Sequence, residues 1–316
     1  MDDPAHTDNA TRDSGTDLDD RVLGALLGGA IGDALGAGVE NAGRVPPDVE
    51  LVPRAVTDDT QLTFATLRAV ARAGADPQAI AAEMLVDFRA GRLTGLGSST
   101  LGALKGLDVG GHWALVGARG ERAQGNGAAM RILPVALIID PCHAEGRRAV
   151  RDVARITHHS EEACAGALAI AIAVRLELAG VLTVEAVAQR LPDSRVRDAL
   201  ERAVSCVGAP LEETVQVLGN SGWVVESVPL AITVAAQPTA GITRALPAVV
   251  RLGGDADTIG SLVGQLLGLR HGAATIEAAI ADRALPAPAD WRAWKAEAER
   301  AFPELRRRLR QDGRRP

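Results

Sequence analysis

Glycine recurs at every fourth position in two segments of this chain, LGALLGGAIGDALGAGVE near one end and IGSLVGQLLGLRHG near the other. The spaced glycines are Gly24, Gly28, Gly32 and Gly36, and then Gly260, Gly264, Gly268 and Gly272. Residues four apart share one face of an α-helix, although each glycine inside a helix costs about 1 kcal/mol relative to alanine. The Leu, Ile and Val residues between them argue against a loop. The pattern therefore predicts two helices that pack closely through glycine faces, against each other or against a shared neighbour.

Helical signals dominate the rest of the chain. Helices are expected over residues 62–73, 77–89, 161–179 and 181–191, because each segment is bounded by a capping residue, a glycine or a proline. Sustained period-two alternation is not found, and the two strand-like segments, RILPVALIID and VVESVPLAITV, each contain a proline. Only 2% of the residues are aromatic, which favours helix packing over a β-sandwich. We predict an all-α fold.

The two ends of the chain differ from its middle. Residues 1–20 contain seven aspartates and are expected to form a disordered acidic tail. Residues 306–316 are rich in arginine, and the interpretation as a helix end followed by a tail is preferred to a patch for an anionic partner. The segment between them, residues 21–305, is predicted to form a single domain, and we expect a monomer.

Charge and cysteine content restrict the class of protein. A net charge of −6 argues against nucleic acid as a partner, except as a modified substrate. The three cysteines have neither zinc-site spacing nor a disulfide framework, which is typical of a reducing compartment. A signal peptide is not recognisable, and the longest apolar run, residues 163–174, is too short to cross a bilayer. The expected location is the cytoplasm, without a membrane segment.

Two acidic motifs, TDDT and GGDADT, lie about two hundred residues apart. Each places two aspartates beside an apolar segment, Asp58 and Asp59 in the first and Asp255 and Asp257 in the second. Like charges so close to a buried segment require compensation. Together with Glu40 they provide five carboxylates, while Thr57 and Thr258 add further oxygen atoms. Oxygen ligands without His or Cys favour Mg²⁺, Mn²⁺ or Ca²⁺, and five carboxylates suit two ions better than one.

Helix capping is the alternative explanation for either motif alone. Thr57 or Asp58 would cap a helix that begins near Gln61, and Asp255 or Asp257 would cap one that begins near Ile259. A DxD pattern by itself is weak evidence, because it occurs in many unrelated proteins. The two motifs together, with Glu40 and the glycine segments, favour a shared metal site.

Six segments, taken in order, resemble the ADP-ribosylglycohydrolases, the ADP-ribosylhydrolases of the dinitrogenase-reductase-activating type. They are GALLGGAIGDALGAGVE, TDDTQLT, GNGAAMRILPVAL, ITHHSEEACAGALAIA, SGWVVESVPLAI and GGDADTIGSLVGQLLG. The resemblance extends from about residue 20 to about residue 300. It implies a compact orthogonal multi-helix fold, two Mg²⁺ or Mn²⁺ ions, and hydrolysis of the C1″ glycosidic bond, N- or O-linked, that joins ADP-ribose to an acceptor.

The resemblance also implies roles for individual residues. The first ion would be held by Thr57, Asp58, Asp59 and Asp257, and the second by Asp255, Asp257 and Thr258. The implied catalytic residues are Glu40, Asp58 and Asp257, with Glu40 also a ligand or gate that substrate displaces. The implied substrate contacts are Glu40, Gly97, Ser98, Ser99, Asn126, Gly127, Met130 and His158. Without the family, His158 would be interpreted as a helix-entry histidine bonded to the backbone.

One departure from the family pattern concerns the acceptor. Arginine-specific members carry an aspartate at the start of a segment that here reads GLGSST, from Gly95 to Thr100, without a carboxylate. The acceptor linkage therefore stays open, with arginine, serine, nucleic acid and small molecules all considered. A non-catalytic ADP-ribose-binding or structural member of the same fold is the alternative to a hydrolase. A paired-metal phosphoesterase is a third class, which the absence of a phosphatase-like histidine set disfavours.

Overall fold

The computed structural model describes residues 14–41 and 43–312, and nearly all regular structure in them is α-helical. In chain order the helices are α1 Ser14–Gly36, α2 Asp58–Ala73, α3 Pro77–Arg89, α4 Ser98–Asp108, α5 Trp113–Val116, α6 Leu133–Ile138, α7 Ala144–Arg155, α8 Glu161–Leu178, α9 Val184–Ala188, α10 Arg195–Ala203, α11 Leu211–Leu218, α12 Val224–Ala235, α13 Ile242–Val250, α14 Ala256–Ala281 and α15 Trp291–Asp312. Two short strands, β1 Ala118–Arg119 and β2 His158–His159, pair in parallel. The all-α prediction is confirmed.

Helices α1 and α14 pack against each other through their glycines, as the spacing predicted. A Cβ atom added to Gly28 would lie 2.2 Å from the carbonyl oxygen of Gly264, and one added to Gly264 would lie 2.0 Å from the carbonyl oxygen of Gly28. The same holds at Gly32 and Gly260, where the distances are 2.0 and 2.6 Å. Real Cβ atoms essentially never come this close to a neighbouring atom. Only glycine therefore permits this separation of the two backbones.

The last glycine of the second segment does not continue the helical face. Gly272 has φ 77° and ψ 164°, which interrupts α14, so the expectation that it belongs to a regular helical repeat is wrong. The space beside it is filled by Asp20: a Cβ on Gly272 would lie 2.0 Å from Oδ2 of that carboxylate. Asp20 also accepts a hydrogen bond from the backbone N–H of Ala274 at 3.0 Å. This contact ties the start of the chain to the segment after the break.

Helices extend into both segments that were expected to be tails. Helix α1 begins at Ser14, so residues 14–20, expected in the disordered tail, are helical. Asp19 forms an ion pair with Arg306 of α15, which gives these acidic positions a structural role. Helix α15 continues to Asp312, so most of the arginine-rich end is helical as well. The remaining parts of both predicted tails, residues 1–13 and 313–316, lie outside the described residues.

Several helix boundaries differ from those expected. Helix α2 begins at Asp58, four residues before the expected start, with Thr57 as the N-cap. The expected helix over residues 181–191 is reduced to α9, where Thr183 caps the first turn by accepting from the N–H of Ala186. The two proline-containing segments are helical, as α6 and α12. Pro229 is tolerated inside α12, and its carbonyl accepts a hydrogen bond from the hydroxyl of Thr233 at 2.7 Å.

The main cluster of buried apolar side chains extends along the chain from Val22 to Leu305. Helix α8 lies inside it, and every residue from Ala163 to Val174 is buried. This segment is the longest apolar run of the sequence, and a helix that is apolar on all sides requires burial. Within the described ranges, none of the helices has the length and apolar character needed to cross a membrane.

Candidate active site

The two acidic motifs meet at one end of the α1–α14 pair. Asp58 and Asp59 lie in the first turn of α2, Asp257 lies in the first turn of α14, and Asp255 is the N-cap of α14. A hydrogen bond from the hydroxyl of Thr258 to Oδ2 of Asp59, 3.2 Å long, joins the motifs directly. Residues separated by 199 positions in the chain are therefore in contact.

A cavity of about 250 Å³ opens beside this junction. It is lined by Glu40, Asp58, Asp59, Gly95, Gly97, Ser98, Ser99, Thr100, Gly125, Asn126, Gly127, Met130, His158, Gly222, Asp255, Asp257 and Thr258. Every candidate site residue from the sequence analysis except Thr57 is among them. Thr57, the N-cap of α2, is not among the lining residues, and its hydroxyl donates to Oδ1 of Asp33 at 2.8 Å. Thr57 and Asp255 stand at the N-cap positions of α2 and α14, but neither side chain makes a capping hydrogen bond, and the metal interpretation stays a prediction.

The carboxylates form a dense cluster of like charge. Glu40, Asp255 and Asp257 each present an oxygen within 4.8 Å of the others, while Asp58 and Asp59 are buried beside them. Burial raises the pKa of Asp257 to about 8, with the charges of Asp255 and Glu40 adding to the effect. Burial also raises the pKa of Asp58 and of Asp59 well above the ordinary value, and repulsion from neighbouring carboxylates contributes to both. Such a cluster is unfavourable unless positive charge compensates it.

The donors in this cluster fit a hard divalent cation. Oδ1 of Asp59 is buried and has no hydrogen-bond partner among the described residues, so one oxygen is left for a ligand. The carboxylates and threonine hydroxyls of the two acidic motifs offer oxygen atoms, the ligand type of Mg²⁺, Mn²⁺ and Ca²⁺. Thr57 also fits, because a hydroxyl that donates its proton to Asp33 keeps lone pairs for another contact.

The loop before α14 is held in place by two asparagines. The carbonyl oxygen of Asn220 accepts from the N–H of Asp255 at 2.9 Å, and the Asn220 side chain donates to the carbonyl of Gly253 at 3.0 Å. The N–H of Asn41 donates to the carbonyl of Gly254 at 2.9 Å, which brings neighbouring Glu40 to the cavity. Gly254 has φ 70°, and a Cβ there would lie 2.3 Å from the Asn220 carbonyl oxygen. This close approach explains the glycine that precedes the second motif.

Asp33 fixes the first motif, and the sequence analysis did not identify it. Its buried carboxylate accepts from the backbone N–H of Thr57 at 2.9 Å and of Thr60 at 3.1 Å, and from both threonine hydroxyls at 2.8 and 2.6 Å. Burial raises the pKa of Asp33 to about 6, and these hydrogen bonds oppose the increase. The available signal was a lone acidic residue directly after Gly32, inside the apolar and glycine-rich segment LGALLGGAIGDALG.

The segment after Gly125 builds a second wall of the cavity, next to the acidic cluster. The side-chain amide of Asn126 donates to Oδ2 of Asp255 and to the hydroxyl of Ser227, so it connects the wall to the second motif. The carbonyl oxygen of Met130 accepts from Nε2 of Gln265 at 2.8 Å. These bonds fix the backbone on which Gly127 and Met130 border the cavity.

His158 faces the same wall and is almost fully buried. Its Nδ1 lies 2.7 Å from the hydroxyl oxygen of Thr157, so the alternative of a histidine bonded to the backbone at a helix entry does not describe it. A Cβ added to Gly127 would lie 3.0 Å from Cε1 of the ring. Burial, helped by the charge of Arg131, lowers the pKa of His158 to about 3. The ring is therefore neutral at ordinary assay pH.

Arg131 is the second residue that sequence reasoning missed. It is fully buried, and its guanidinium donates to the carbonyl of Gly127 and, at 2.7 Å, to the hydroxyl of Thr157. Burial lowers its pKa to about 10, while the charge of Asp58 acts in the opposite direction. The available signal was a single charged residue within the apolar segment AAMRILPVAL.

The segment that lacks an aspartate runs past the first motif. Gly95 has φ 79°, and a Cβ there would lie 3.2 Å from Cβ of Thr57 and 3.3 Å from Oδ1 of Asp58. Gly97 is the N-cap of α4, and Ser98 and Ser99 form its first turn at the cavity edge. At position 95, a residue with a side chain would be both strained and crowded.

The sequence model of one family covers this whole arrangement: the ADP-ribosylglycohydrolase model matches residues 14–312. The chain belongs to the ADP-ribosylglycohydrolase family. The ADP-ribosyl-[dinitrogen reductase] glycohydrolase of Rhodospirillum rubrum is 28% identical over 275 residues, which covers 82% of this chain and 88% of that protein. The ADP-ribosylhydrolase ARH3 of Danio rerio is 28% identical over 314 residues, covering 80% and 83% respectively.

A solved structure agrees with this assignment. The chain described as an ADP-ribosylglycohydrolase-related protein complex superposes with a TM-score of 0.70 at 28% identity, covering 92% of this chain and 99% of that one. The family resemblance and the ADP-ribosylglycohydrolase-like fold are therefore confirmed. Membership of the ADP-ribosylglycohydrolases supports hydrolytic removal of ADP-ribose as the activity of this protein, and the names of its relatives indicate ADP-ribosylated substrates.

Proposed function

We propose that this protein is a divalent-metal-dependent hydrolase that removes ADP-ribose from a modified acceptor by cleaving the C1″ glycosidic bond. The observation that carries the proposal is the meeting of Asp58 and Asp59 with Asp255 and Asp257 beside one cavity. The carboxylate and hydroxyl oxygens of the two motifs support the metal requirement, as does Oδ1 of Asp59, which has no hydrogen-bond partner in the described part of the chain. The cytoplasmic location and the monomeric state stay predictions.

Two Mg²⁺ or Mn²⁺ ions are proposed to share the acidic cluster. The first would be held by Thr57, Asp58, Asp59 and Asp257. The second would be held by Asp255, Asp257 and Thr258, so that Asp257 contacts both. When bound, the ions would offset the clustered negative charge and polarise substrate hydroxyls and water.

The carboxylates at the cavity have their own part in the reaction. Departure of the acceptor from C1″ builds positive oxocarbenium character on the ribose, which nearby negative charge stabilises. Glu40, Asp58 and Asp257 border the cavity, and one of these carboxylates would accept the proton of the attacking water. Glu40 is the exposed member, and its Oε1 accepts from the side chain of Asn41 at 3.0 Å. Its position at the opening suits a gate that substrate displaces.

The cavity wall after Gly125 is proposed to bind ADP-ribose itself. Asn126, Gly127, Met130 and His158 would contact the ribose and diphosphate region. The first turn of α4 would contribute through Gly97, Ser98 and Ser99, because the N–H groups at a helix N-terminus favour anions. An acidic protein can bind an anionic nucleotide in this way, since local dipoles and ions determine the charge that the ligand meets.

The test of this function is release of ADP-ribose from a substrate panel. Arginine-linked, serine-linked and nucleic-acid-linked ADP-ribose would be incubated with the protein and Mg²⁺, and products would be measured by mass spectrometry. We expect release from at least one substrate, loss of release in excess EDTA, and recovery with added Mg²⁺ or Mn²⁺. Undiminished release in EDTA would exclude the proposed mechanism. Tight binding of free ADP-ribose without release from any substrate would favour the non-catalytic alternative.

Asp33→Asn is expected to weaken metal binding about 10- to 100-fold, the usual cost of losing a residue that orients a metal ligand. An amide offers one acceptor oxygen where Asp33 now accepts from two N–H groups and two hydroxyls, so the turn of Thr57 would lose its anchor. Calorimetric titration with Mn²⁺ measures the change. Asp76→Asn is the matched control, because Asp76 accepts a hydrogen bond at the start of α3 and does not line the cavity. Equal Mn²⁺ affinity of Asp33→Asn and the control would contradict the assigned role.

A further inference from the structure

We propose that Thr157, itself oriented by Arg131, is a positioning residue that holds His158 as the neutral tautomer with its proton on Nε2. In this state His158 presents an uncharged N–H donor to the cavity, and the ligand must supply an acceptor oxygen there. The statement about the ligand rests on the proposed function, whereas the statement about the tautomer concerns the free protein.

The direction of the first hydrogen bond is fixed by chemistry. The Arg131 guanidinium lies 2.7 Å from the hydroxyl oxygen of Thr157, and a guanidinium has donors but no acceptor. The Thr157 oxygen must therefore accept this bond. The hydroxyl keeps one proton to donate and lies 2.7 Å from Nδ1 of His158.

The direction of the second bond follows from burial. If His158 carried its proton on Nδ1 and donated it to Thr157, the hydroxyl proton of Thr157 would need another acceptor. Thr157 is fully buried, and the described residues offer its hydroxyl contacts with Arg131 and His158 alone. A buried hydroxyl donor without an acceptor is unfavourable. The hydroxyl therefore donates to Nδ1, and Nδ1 carries no proton.

A neutral imidazole with a bare Nδ1 has its proton on Nε2. The ring is neutral because burial and the nearby Arg131 charge lower its pKa to about 3. Nε2 lies on the cavity side: a Cβ added to Gly125 or Gly127, which both line the cavity, would lie 3.5 Å from it. In the described part of the chain, Nε2 has no hydrogen-bond partner of its own. The donor is thus left for a ligand.

The same guanidinium also fixes the neighbouring wall. Arg131 donates to the carbonyl of Gly127, so one buried cation orients both the backbone beside the ring and the hydroxyl that sets the tautomer. A ligand group opposite Nε2 must then be an acceptor, such as a diphosphate oxygen or the oxygen of a ribose hydroxyl. A ligand donor at this position would meet another donor.

The tautomer is tested by nitrogen NMR of free protein labelled with ¹⁵N-histidine. We expect the Nδ1 of His158 in the wild type to resonate far downfield as an unprotonated nitrogen, with Nε2 protonated. Thr157→Ser keeps the hydroxyl and should retain this pattern, whereas Thr157→Val removes it and should give a mixture of tautomers. A wild-type ring with a proton on Nδ1, or on both nitrogens, would overturn the proposal without any variant. An unchanged pattern in Thr157→Val would overturn the role of Thr157.

Binding assays supply the second readout. Thr157→Val should weaken ADP-ribose binding about 5- to 10-fold, the effect of one misdirected hydrogen bond, while Thr157→Ser stays within about 2-fold of the wild type. Thr233→Val is the matched control, since Thr233 is equally buried but donates to the carbonyl of Pro229 in α12. If Thr157→Val also loses affinity for ADP, the His158 contact is assigned to the diphosphate. If it loses affinity for ADP-ribose alone, the contact is assigned to the terminal ribose. Unchanged affinity for both ligands would overturn the donor role.

These outcomes separate this inference from the proposed function. A protein that shows the expected tautomer but releases no ADP-ribose from any substrate would contradict the hydrolase and leave the tautomer intact. A metal-dependent hydrolase whose His158 carries its proton on Nδ1 would contradict the tautomer and leave the proposed function intact.

Discussion

Asp257→Asn is expected to lower kcat/KM for metal-dependent release of ADP-ribose by more than about 100-fold. Even residues that only orient a metal ligand typically contribute 10- to 100-fold, and Asp257 is proposed to contact both ions directly. An amide of the same shape replaces one carboxylate oxygen with an NH₂ group, which cannot bind a cation. The measurement is release of ADP-ribose at saturating Mg²⁺, together with Mn²⁺ titration of the same variant.

The fold should survive this substitution. Burial and the neighbouring carboxylates raise the pKa of Asp257 to about 8, so the metal-free protein must either protonate this carboxyl or bury its charge, and an amide avoids both costs. We expect unchanged helical content by circular dichroism, and a free energy of unfolding without metal that equals or exceeds that of the wild type. Asp282→Asn, an exposed change at the other end of α14, serves as the control and should leave activity within about 2-fold, because surface substitutions usually have small effects. Wild-type turnover in Asp257→Asn would contradict the assignment of Asp257 to the metal site. A loss of helical content in this variant would contradict the expectation that the fold survives.

Gly264→Ala is expected to destabilise the protein by at least about 3 kcal/mol, or to prevent folding. Overpacking typically costs 1–3 kcal/mol when side chains can move aside. Here the added Cβ would lie 2.0 Å from the carbonyl oxygen and 2.5 Å from the carbonyl carbon of Gly28, both backbone atoms. Helices α1 and α14 would have to separate, and the acidic motif at the start of α14 would move with them.

Gly102→Ala is the matched control for this prediction. Gly102 lies inside α4, and a Cβ there would meet no atom within 4 Å. The same exchange should therefore stabilise the protein by up to about 1 kcal/mol, since alanine favours the helix over glycine. Urea unfolding followed by circular dichroism compares the two variants. Similar midpoints for Gly264→Ala and Gly102→Ala would show that the glycine faces do not determine helix packing.

The pairing of α1 with α14 could be predicted from sequence because its cause is local. A glycine at every fourth position on an otherwise apolar helix has few explanations besides close packing. The pairing in turn implied that Glu40, which follows the first glycine segment, and Asp257, which precedes the second, lie near one site. The break at Gly272 could not be predicted in this way. The four-residue spacing is the same whether that glycine is helical or has positive φ, and the difference depends on Asp20 from the other end of the chain.

The buried charges were beyond sequence reasoning for a related reason. Asp33 and Arg131 each stand alone in an apolar segment, and their partners come from other segments of the chain. Composition reveals that such a residue needs compensation, but only the tertiary contacts show that Asp33 anchors Thr57 and Thr60. The two proline-containing segments were ambiguous because their composition suits strands. They are helical because α6 and α12 are buried among other helices, an environment that outweighs local propensity.

The most direct test of the central claim is a crystal structure of the protein grown with Mn²⁺, with anomalous differences recorded at the manganese absorption edge. Two peaks are predicted between the first turns of α2 and α14, each within about 2.5 Å of oxygens from both acidic motifs, as expected for direct oxygen ligands. A map without a peak at these carboxylates, at Mn²⁺ concentrations that support turnover, would contradict the account. Peaks bound by one motif alone would contradict it equally, because the two ends of the chain would then not share the metal.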